Sequence, residues 1–322
     1  MTGKPGYVVR ILALALMASS LCLDGAVAAA PRLEQQAPGY YRLMLGAFEI
    51  TALSDGVFDL DTESTVTNLA PARRRELLAS AFEGDHVPTS VNAYLINTGS
   101  RLILVDAGAA DRFGPSLGRL HANLRASGYR PEQVDDVLLT HLHPDHVGGL
   151  LQDGRSAFPN AALHVELVES QYWLSGANLE LAPPDRKAFF EGAAAAIEPY
   201  RKAGRFVPFS GAADLFPGVR AIPAPGHTPG HTLYEIESGG EKLVLWGDLM
   251  EIAAIQFTEP SATIVFDSDG PAAAAQRPRA YADAAKARCL IGVSHLPFPG
   301  IGHLRAEGAG FVWVPIAPDR MR

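Results

Sequence analysis

Between Thr140 and Gly149 the chain reads Thr-His-Leu-His-Pro-Asp-His-Val-Gly-Gly, which puts His141, His143, Asp145 and His146 within six residues. Imidazole and carboxylate side chains hold divalent ions, and the run lacks the cysteines that dominate closed structural zinc sites. Residues two apart leaving a strand point the same way, so His141 and His143 can grip one ion. Pro144 then turns the chain and lets Asp145 and His146 face a second position. Three later stretches carry the same residue types. Pro225-Gly226-His227-Thr228-Pro229-Gly230-His231 sets His227 on a Gly/Pro loop where backbone can approach an ion closely. Leu243-Val244-Leu245-Trp246-Gly247-Asp248 is an apolar strand ending in a carboxylate, and Gly292-Val293-Ser294-His295 is another ending in an imidazole. His303, in Pro299-Gly300-Ile301-Gly302-His303, competes with His295 for the last ligand position.

Apolar periodicity supplies the elements that must carry these residues. Val134 to Thr140 reads as a buried strand that runs straight into His141. Leu43 to Leu60 reads as two short strands around a Ser54-Asp55-Gly56 turn, and Val91 to Thr98 with Arg101 to Val105 as a hairpin. Helical spacing covers Arg73 to Phe82, Pro115 to Ser127, Val168 to Leu174, Asp185 to Lys202 and Pro278 to Ala287. Further strands are expected at 163–165, 219–222, 232–236, 242–246, 290–293 and 310–314. Strands alternating with helices, many of them in hairpins, predict an α/β fold: an αββα sandwich of two mixed sheets flanked by helices.

The chain has 322 residues, 48% of them hydrophobic and 19% charged, which excludes a disordered or fibrous protein. Its formal charge is −8, and no Lys/Arg run exceeds Arg73-Arg74-Arg75. Phosphate neutralisation needs a basic face, so no nucleic-acid partner is expected. Lys4, Arg10, the apolar run Ile11 to Leu23 and the small residues Ala26-Val27-Ala28 read as a signal peptide over 1–28, with cleavage at residue 30 as the alternative. The apolar run is too short to span about 30 Å of hydrocarbon and Asp24 interrupts it, so no stable membrane anchor is expected. An exported protein, periplasmic or secreted, is. His141 and His295 must meet at one site, so 29–322 is expected to be a single domain. Without the leader Cys289 is the one cysteine left, in an apolar run that reads as a buried strand, and thiol chemistry is not expected. Leu43 to Ile50 suits a homodimer interface and, as simply, a sheet core.

His141-Leu142-His143-Pro144-Asp145-His146, with His227, Asp248 and a late histidine, resembles the metallo-β-lactamase superfamily, and Val105-Asp106-Ala107-Gly108 resembles its early strand-end motif. Within it the chain is most similar to the methyl parathion hydrolase group and its lactonase and arylesterase relatives. That likeness rests on Ala37 to Arg42, Phe113 to Leu120 and Ser294 to His303. The resemblance implies that His141, His143 and His227 hold one metal, that Asp145, His146 and His295 hold the second, and that Asp248 bridges both, with His231 supporting its loop. Two divalent ions are implied, zinc by default, although Mn, Fe or Co suits the same donors. Seven donors on two ions leave coordination positions open, and open positions go with catalysis.

The implied chemistry is hydrolysis by a hydroxide shared between the ions, with Asp145 and Asp248 as the catalytic carboxylates. By position, Phe113, Trp173 and Phe190 match aromatic residues that shape the group's leaving-group pocket. The implied substrates are small neutral molecules: organophosphate triesters, aryl esters or lactones. A lactonase or a β-lactamase-type amide hydrolase is the alternative, and a metal-loaded binding protein the non-enzymatic one. Acyl-homoserine lactonases of the superfamily typically place a Tyr three residues after the bridging Asp. Here that position is Glu251, a departure from their mechanism.

Overall fold

Apolar runs bounded by turn residues build the strands of two large sheets. The computed structural model describes residues 1–2 and 37–317, and the expected signal segment lies outside them. The first sheet takes β1 (Tyr40–Leu45), β2 (Phe48–Asp61), β3 (His86–Asn97), β4 (Leu102–Val105), β5 (Asp136–Leu138), β8 (Ala162–Glu166) and β9 (Phe206–Phe209), side by side in that order. The short hairpin of β6 (Leu151–Gln152) and β7 (Arg155–Ser156) stands apart from it. The second sheet runs in chain order through β10 (Ala213–Phe216), β11 (Val219–Pro223), β12 (Thr232–Ser238), β13 (Glu241–Leu245), β14 (Leu290–Gly292), β15 (Ile301–Glu307) and β16 (Gly310–Pro315). The helices are α1 (Thr62–Thr65), α2 (Pro71–Ser80), α3 (Leu120–Ala126), α4 (Pro144–Val147), α5 (Leu167–Trp173), α6 (Gly176–Leu181), α7 (Pro184–Lys202), α8 (Ala253–Gln256) and α9 (Gly270–Ala287).

Three apolar layers stack these elements as helix, sheet, sheet, helix. Between the sheets, Leu43, Leu45 and Ile50 pack with Tyr234, Ile236, Leu243 and Leu245. Each such aliphatic side chain gains about 1.5–3 kcal/mol over exposure, which fixes how the sheets face each other and accounts for the apolar Leu43 to Ile50 run. Outside the first sheet, Leu95, Leu104 and Val137 meet Leu124 of α3 and Phe190, Ile197 and Tyr200 of α7. Outside the second, Trp246 and Ile291 meet Tyr281 of α9. From Pro38 onward the described residues form one compact unit. Among the described residues no helix is long and apolar enough to cross a membrane.

Two parallel pairings set up the site. β4 pairs with β5 and β13 with β14, each in parallel. Parallel strands end on the same side, so the residues that follow them gather at one edge of the sandwich. Val105 leads to Asp106, Leu138 to His141, Leu245 to Asp248 and Gly292 to His295. Hydrogen bonds stitch the two sheets at this edge: Thr232 N donates to Thr140 O at 2.9 Å, Tyr234 Oη to Leu139 O at 2.7 Å, and Asn92 N to Ser294 O at 2.9 Å.

Several expected boundaries move. Ser54-Asp55-Gly56 is not a turn but a bulge inside the long β2, and the real reversal is at Gly46-Ala47. The bulge lets the buried Asp55 accept from the backbone N–H groups of Ala109, Gly118 and Leu120 at 2.9–3.1 Å. Those bonds hold 115–119 as a loop, so the helix expected from Pro115 begins only at Leu120. The last helix starts at Gly270 rather than Pro278, because Asp269 caps it through Ala272 N at 2.9 Å and Pro278 lies inside. β9, β10, β15 and α6 were not among the expected elements. Cys289 is buried and unpaired beside β14.

Candidate metal centre

Seven side chains converge at the sandwich edge in two donor sets. His141, His143, His227 and Asp248 form one, and Asp145, His146, Asp248 and His295 the other; within each, the donor atoms lie within 4.8 Å of one another. Asp145 is half-buried and the other six are buried. Asp248 belongs to both sets and divides its oxygens between them. Oδ2 lies 3.4 Å from His141 Nε2 and 3.3 Å from His227 Nε2. Oδ1 lies 3.0 Å from His146 Nε2 and 3.1 Å from His295 Nε2.

The local sequence explains how each ring is held. Pro144 opens α4, so His143 sits at its cap and Asp145 and His146 lie in its single turn. Gly226, at φ +143°, brings the His227 loop against α9, where a Cβ would fall 2.4 Å from Ala273 N. Gly247, at φ +52°, lets the Asp248 turn pass 2.8 Å from Thr140 Cβ on the same measure. Four of the five imidazoles are then anchored at one nitrogen, which aims the other inward. His141 Nδ1 contacts Thr140 Oγ1 at 3.0 Å, His146 Nδ1 contacts Asp106 Oδ2 at 2.9 Å, His227 Nδ1 contacts Asp267 Oδ1 at 3.1 Å and His295 Nδ1 contacts Ser90 O at 2.8 Å. The structure thereby brings together every ligand implied by the resemblance. His303, the competitor of His295, stands on β15 with Nδ1 against Cys289 O and belongs to neither set.

The donor chemistry fits divalent ions. His141 Nε2, His146 Nε2, His295 Nε2 and Asp248 Oδ1 are buried and approach one another without an aligned hydrogen bond, and buried polar atoms left so cost about 1–3 kcal/mol each unless something else satisfies them. His143 Nδ1 and His227 Nε2 face each other at 3.0 Å, where two lone pairs need a cation or proton between them. The charges agree. Burial alone would raise the Asp248 carboxyl, but His146, His295 and His141 hold it well below the usual carboxylate range. Burial would lower His227 and His295, yet their carboxylate neighbours, Asp248 above all, draw them up to about 9 and about 10. The cluster therefore calls for positive charge.

A layer of residues lies outside the donors; of these, His231 is expected to support its loop and Asp106 belongs to the strand-end motif, whereas the sequence reading gives Asp267 and Glu169 no role. Asp106, at φ 61°, accepts from Thr140 N and Thr140 Oγ1 as well as facing His146. Asp267 is gripped by the buried Arg277 guanidinium, whose Nη2 reaches its oxygens at 3.2 and 3.0 Å. Glu169 is fully buried and accepts from Leu142 N at 2.9 Å and Gly230 N at 2.8 Å, joining the two ligand loops. Burial pushes Glu169 up to about 7 despite those N–H groups. His231 Nε2 accepts from Asp248 N at 3.1 Å, in line with its expected loop-supporting place.

Above the donors a cleft of about 50 Å³ is lined by Phe58, Phe113, Phe189 and Phe266 around His143, Asp145, Asp248 and Glu251. Burial pushes Glu251 up to about 7, with His295 opposing the rise and Asp248 adding to it; divalent cations held by the adjacent donor sets would favour its ionised form. A second cavity of about 260 Å³ adjoins at His143 and Phe266 and is walled by Tyr172, Trp173, Leu181, Arg186 and Phe190. The three aromatics expected to share one pocket are thus divided. Phe113 is 43% exposed on the cleft, whereas Trp173 and Phe190, each 4% exposed, border the second cavity and also pack in the helical core. Phe58, Phe189 and Phe266 were missed. Phe189 is the immediate neighbour of Phe190, and helix phase alone decides which ring faces the donors.

The chain matches the family model "Metallo-beta-lactamase superfamily" over residues 86–291. The crystal structure of the hydrolase AbOPH, of the β-lactamase superfamily, is 39% identical, with a TM-score of 0.83 over 88% of this chain and 99% of that one. AidC, a dizinc quorum-quenching lactonase solved with its product, is 27% identical, with a TM-score of 0.81 over 87% of this chain and 98% of that one. A Mycobacterium bovis protein named "Probable metallo-hydrolase" is 27% identical over 201 residues, 55% of this chain; the match spans 62% of that relative's length. With this fold, these donor sets and these relatives, the chain belongs to the metallo-β-lactamase superfamily, as a metallo-hydrolase with lactonase relatives.

Proposed function

We propose that the chain hydrolyses small neutral esters at a two-ion centre, with organophosphate triesters, aryl esters and lactones as the substrate classes. The observation that carries this reading is Asp248, whose two oxygens face two separate histidine sets below an aromatic cleft. His141, His143 and His227 would hold one ion, Asp145, His146 and His295 the other, and Asp248 both. Bound there, two divalent ions supply a nucleophile from water near neutral pH and polarise a carbonyl or phosphoryl oxygen. The protein's own part is positional. Asp106, Asp267, Thr140 and Ser90 fix the ring nitrogens, and Glu169 locks the two ligand loops together. The four phenyl rings offer an apolar bed for the flat group of an aryl ester or triester.

A lactone is favoured by a specific likeness: AidC, 27% identical over most of both chains, is a lactonase. Glu251 in place of the usual tyrosine means that a lactone here would be handled without that phenol. Export as a mature chain from residue 29 belongs to the same proposal and rests on the apolar run Ile11 to Leu23.

The test is a hydrolysis panel of paraoxon-type triesters, 4-nitrophenyl esters, aliphatic and aromatic lactones and β-lactams, run on protein of measured metal content. Turnover of at least one neutral class, abolished by chelation and restored by added ion, is the expected result. Metal-loaded protein that turns over none of the panel contradicts the proposal and favours a binding role.

A further inference from the structure

The cleft over the donor sets is lined by four phenylalanines, three candidate ligands and one other polar side chain, Glu251. Glu251 is 5% exposed between Met250 and Ile252, which are 0% and 1% exposed. A carboxylate in such surroundings costs free energy unless something pairs with it. Its backbone is pinned: Gln256 Oε1 accepts from Glu251 N at 2.7 Å and from Ile252 N at 3.1 Å, while Gln256 Nε2 donates to Ala262 O at 3.1 Å. The turn thus aims the side chain into the cleft. There Glu251 Oε2 meets only His295 Nε2, at 3.5 Å, and among the described residues its carboxylate accepts no hydrogen bond. It stands outside both donor sets.

We propose that Glu251 is a specificity residue that accepts a hydrogen bond from an N–H or O–H carried beside the scissile group of the substrate. The inference rests on the hydrolase reading above. Phenyl rings offer no acceptor along their edges, and Asp145 and Asp248 are committed to the donor sets, so among the described side chains that line the cleft Glu251 is the one left to accept from a substrate donor. A substrate that fills this space without a donor leaves a buried carboxylate unpaired, and sites built in this way discriminate strongly. Esters with an adjacent amide or hydroxyl donor are therefore preferred over donor-less esters.

A matched pair tests this: the 4-nitrophenyl esters of N-acetylglycine and of N-acetylsarcosine, which share a leaving group and differ by N–H against N–CH3. Wild-type protein loaded with zinc should favour the N–H ester by about tenfold or more in kcat/KM, the size of a hydrogen bond to a charged group. Glu251→Leu should bring the ratio close to one, and Glu251→Gln, which keeps an acceptor oxygen, should retain part of it. Metal content should match wild type in both variants. A wild-type ratio near one, a ratio unchanged in Glu251→Leu, or loss of an ion from either variant overturns the proposal. Wild-type protein that cleaves neither ester, nor any member of the wider panel, instead overturns the hydrolase reading on which the proposal stands.

Discussion

Asp106 Oδ2 lies 2.9 Å from His146 Nδ1, held there by a backbone in the left-handed region at φ 61°. A non-glycine residue rarely adopts that conformation, and here the same carboxylate also collects Thr140 N and Oγ1. One aspartate at the end of β4 therefore fixes the strand that precedes His141 and the ring of His146 together.

Asp106→Asn keeps the shape but removes the charge that orients the His146 ring. Loss of such an outer partner lowers metal affinity about 10–100-fold. Titration with a competing chelator should show that loss with the far-UV CD spectrum unchanged.

Glu169 joins the His141–His143 loop to the His227–His231 loop through two backbone N–H groups. Glu169→Ala leaves both donors buried without partners, at about 1–3 kcal/mol each. Urea unfolding should register the drop, and metal content should fall with it because each of these loops carries ligands of the first donor set.

Phe113 and Trp173 differ in exposure, 43% against 4%, and their variants should separate accordingly. Phe113→Ala should raise KM for aryl esters with little change in Tm. Trp173→Ala removes a core ring and should cost about 3–5 kcal/mol, seen as a lowered unfolding midpoint.

Acidity should oppose metal binding. The carboxylates of the cluster draw His146, His227 and His295 upward, so near neutral pH these rings carry protons that an ion must displace. Metal uptake at pH 7.5 is therefore expected to release more than one proton per pair of ions, and affinity to weaken as pH falls from 8 to 5. Calorimetry in buffers of differing ionisation enthalpy measures the proton count.

The donor set was legible because metal chemistry confines itself to few residue types, and strands that end in His141, Asp248 and His295 advertise themselves against apolar runs. Behind the donors, the resemblance marked His231 and the strand end at Asp106, but the contacts that give this layer its work were not legible. Asp106, Asp267 and Glu169 are single acids whose importance depends on which backbone N–H or ring nitrogen the fold brings to them. The Asp55 bulge looked like a turn because Ser-Asp-Gly is turn composition, and only the three N–H groups delivered from 109–120 make it a bulge. The split of Phe113 from Trp173 and Phe190 is likewise a matter of helix phase and loop placement, which spacing along the chain does not encode.

Metal stoichiometry of Asp248→Ala, measured by elemental analysis beside wild type, tests the central claim most directly. Two donor sets sharing one aspartate predict two equivalents in the wild type and fewer than one in the folded variant, with hydrolysis lost. A folded Asp248→Ala protein that keeps two equivalents and wild-type turnover would contradict the account.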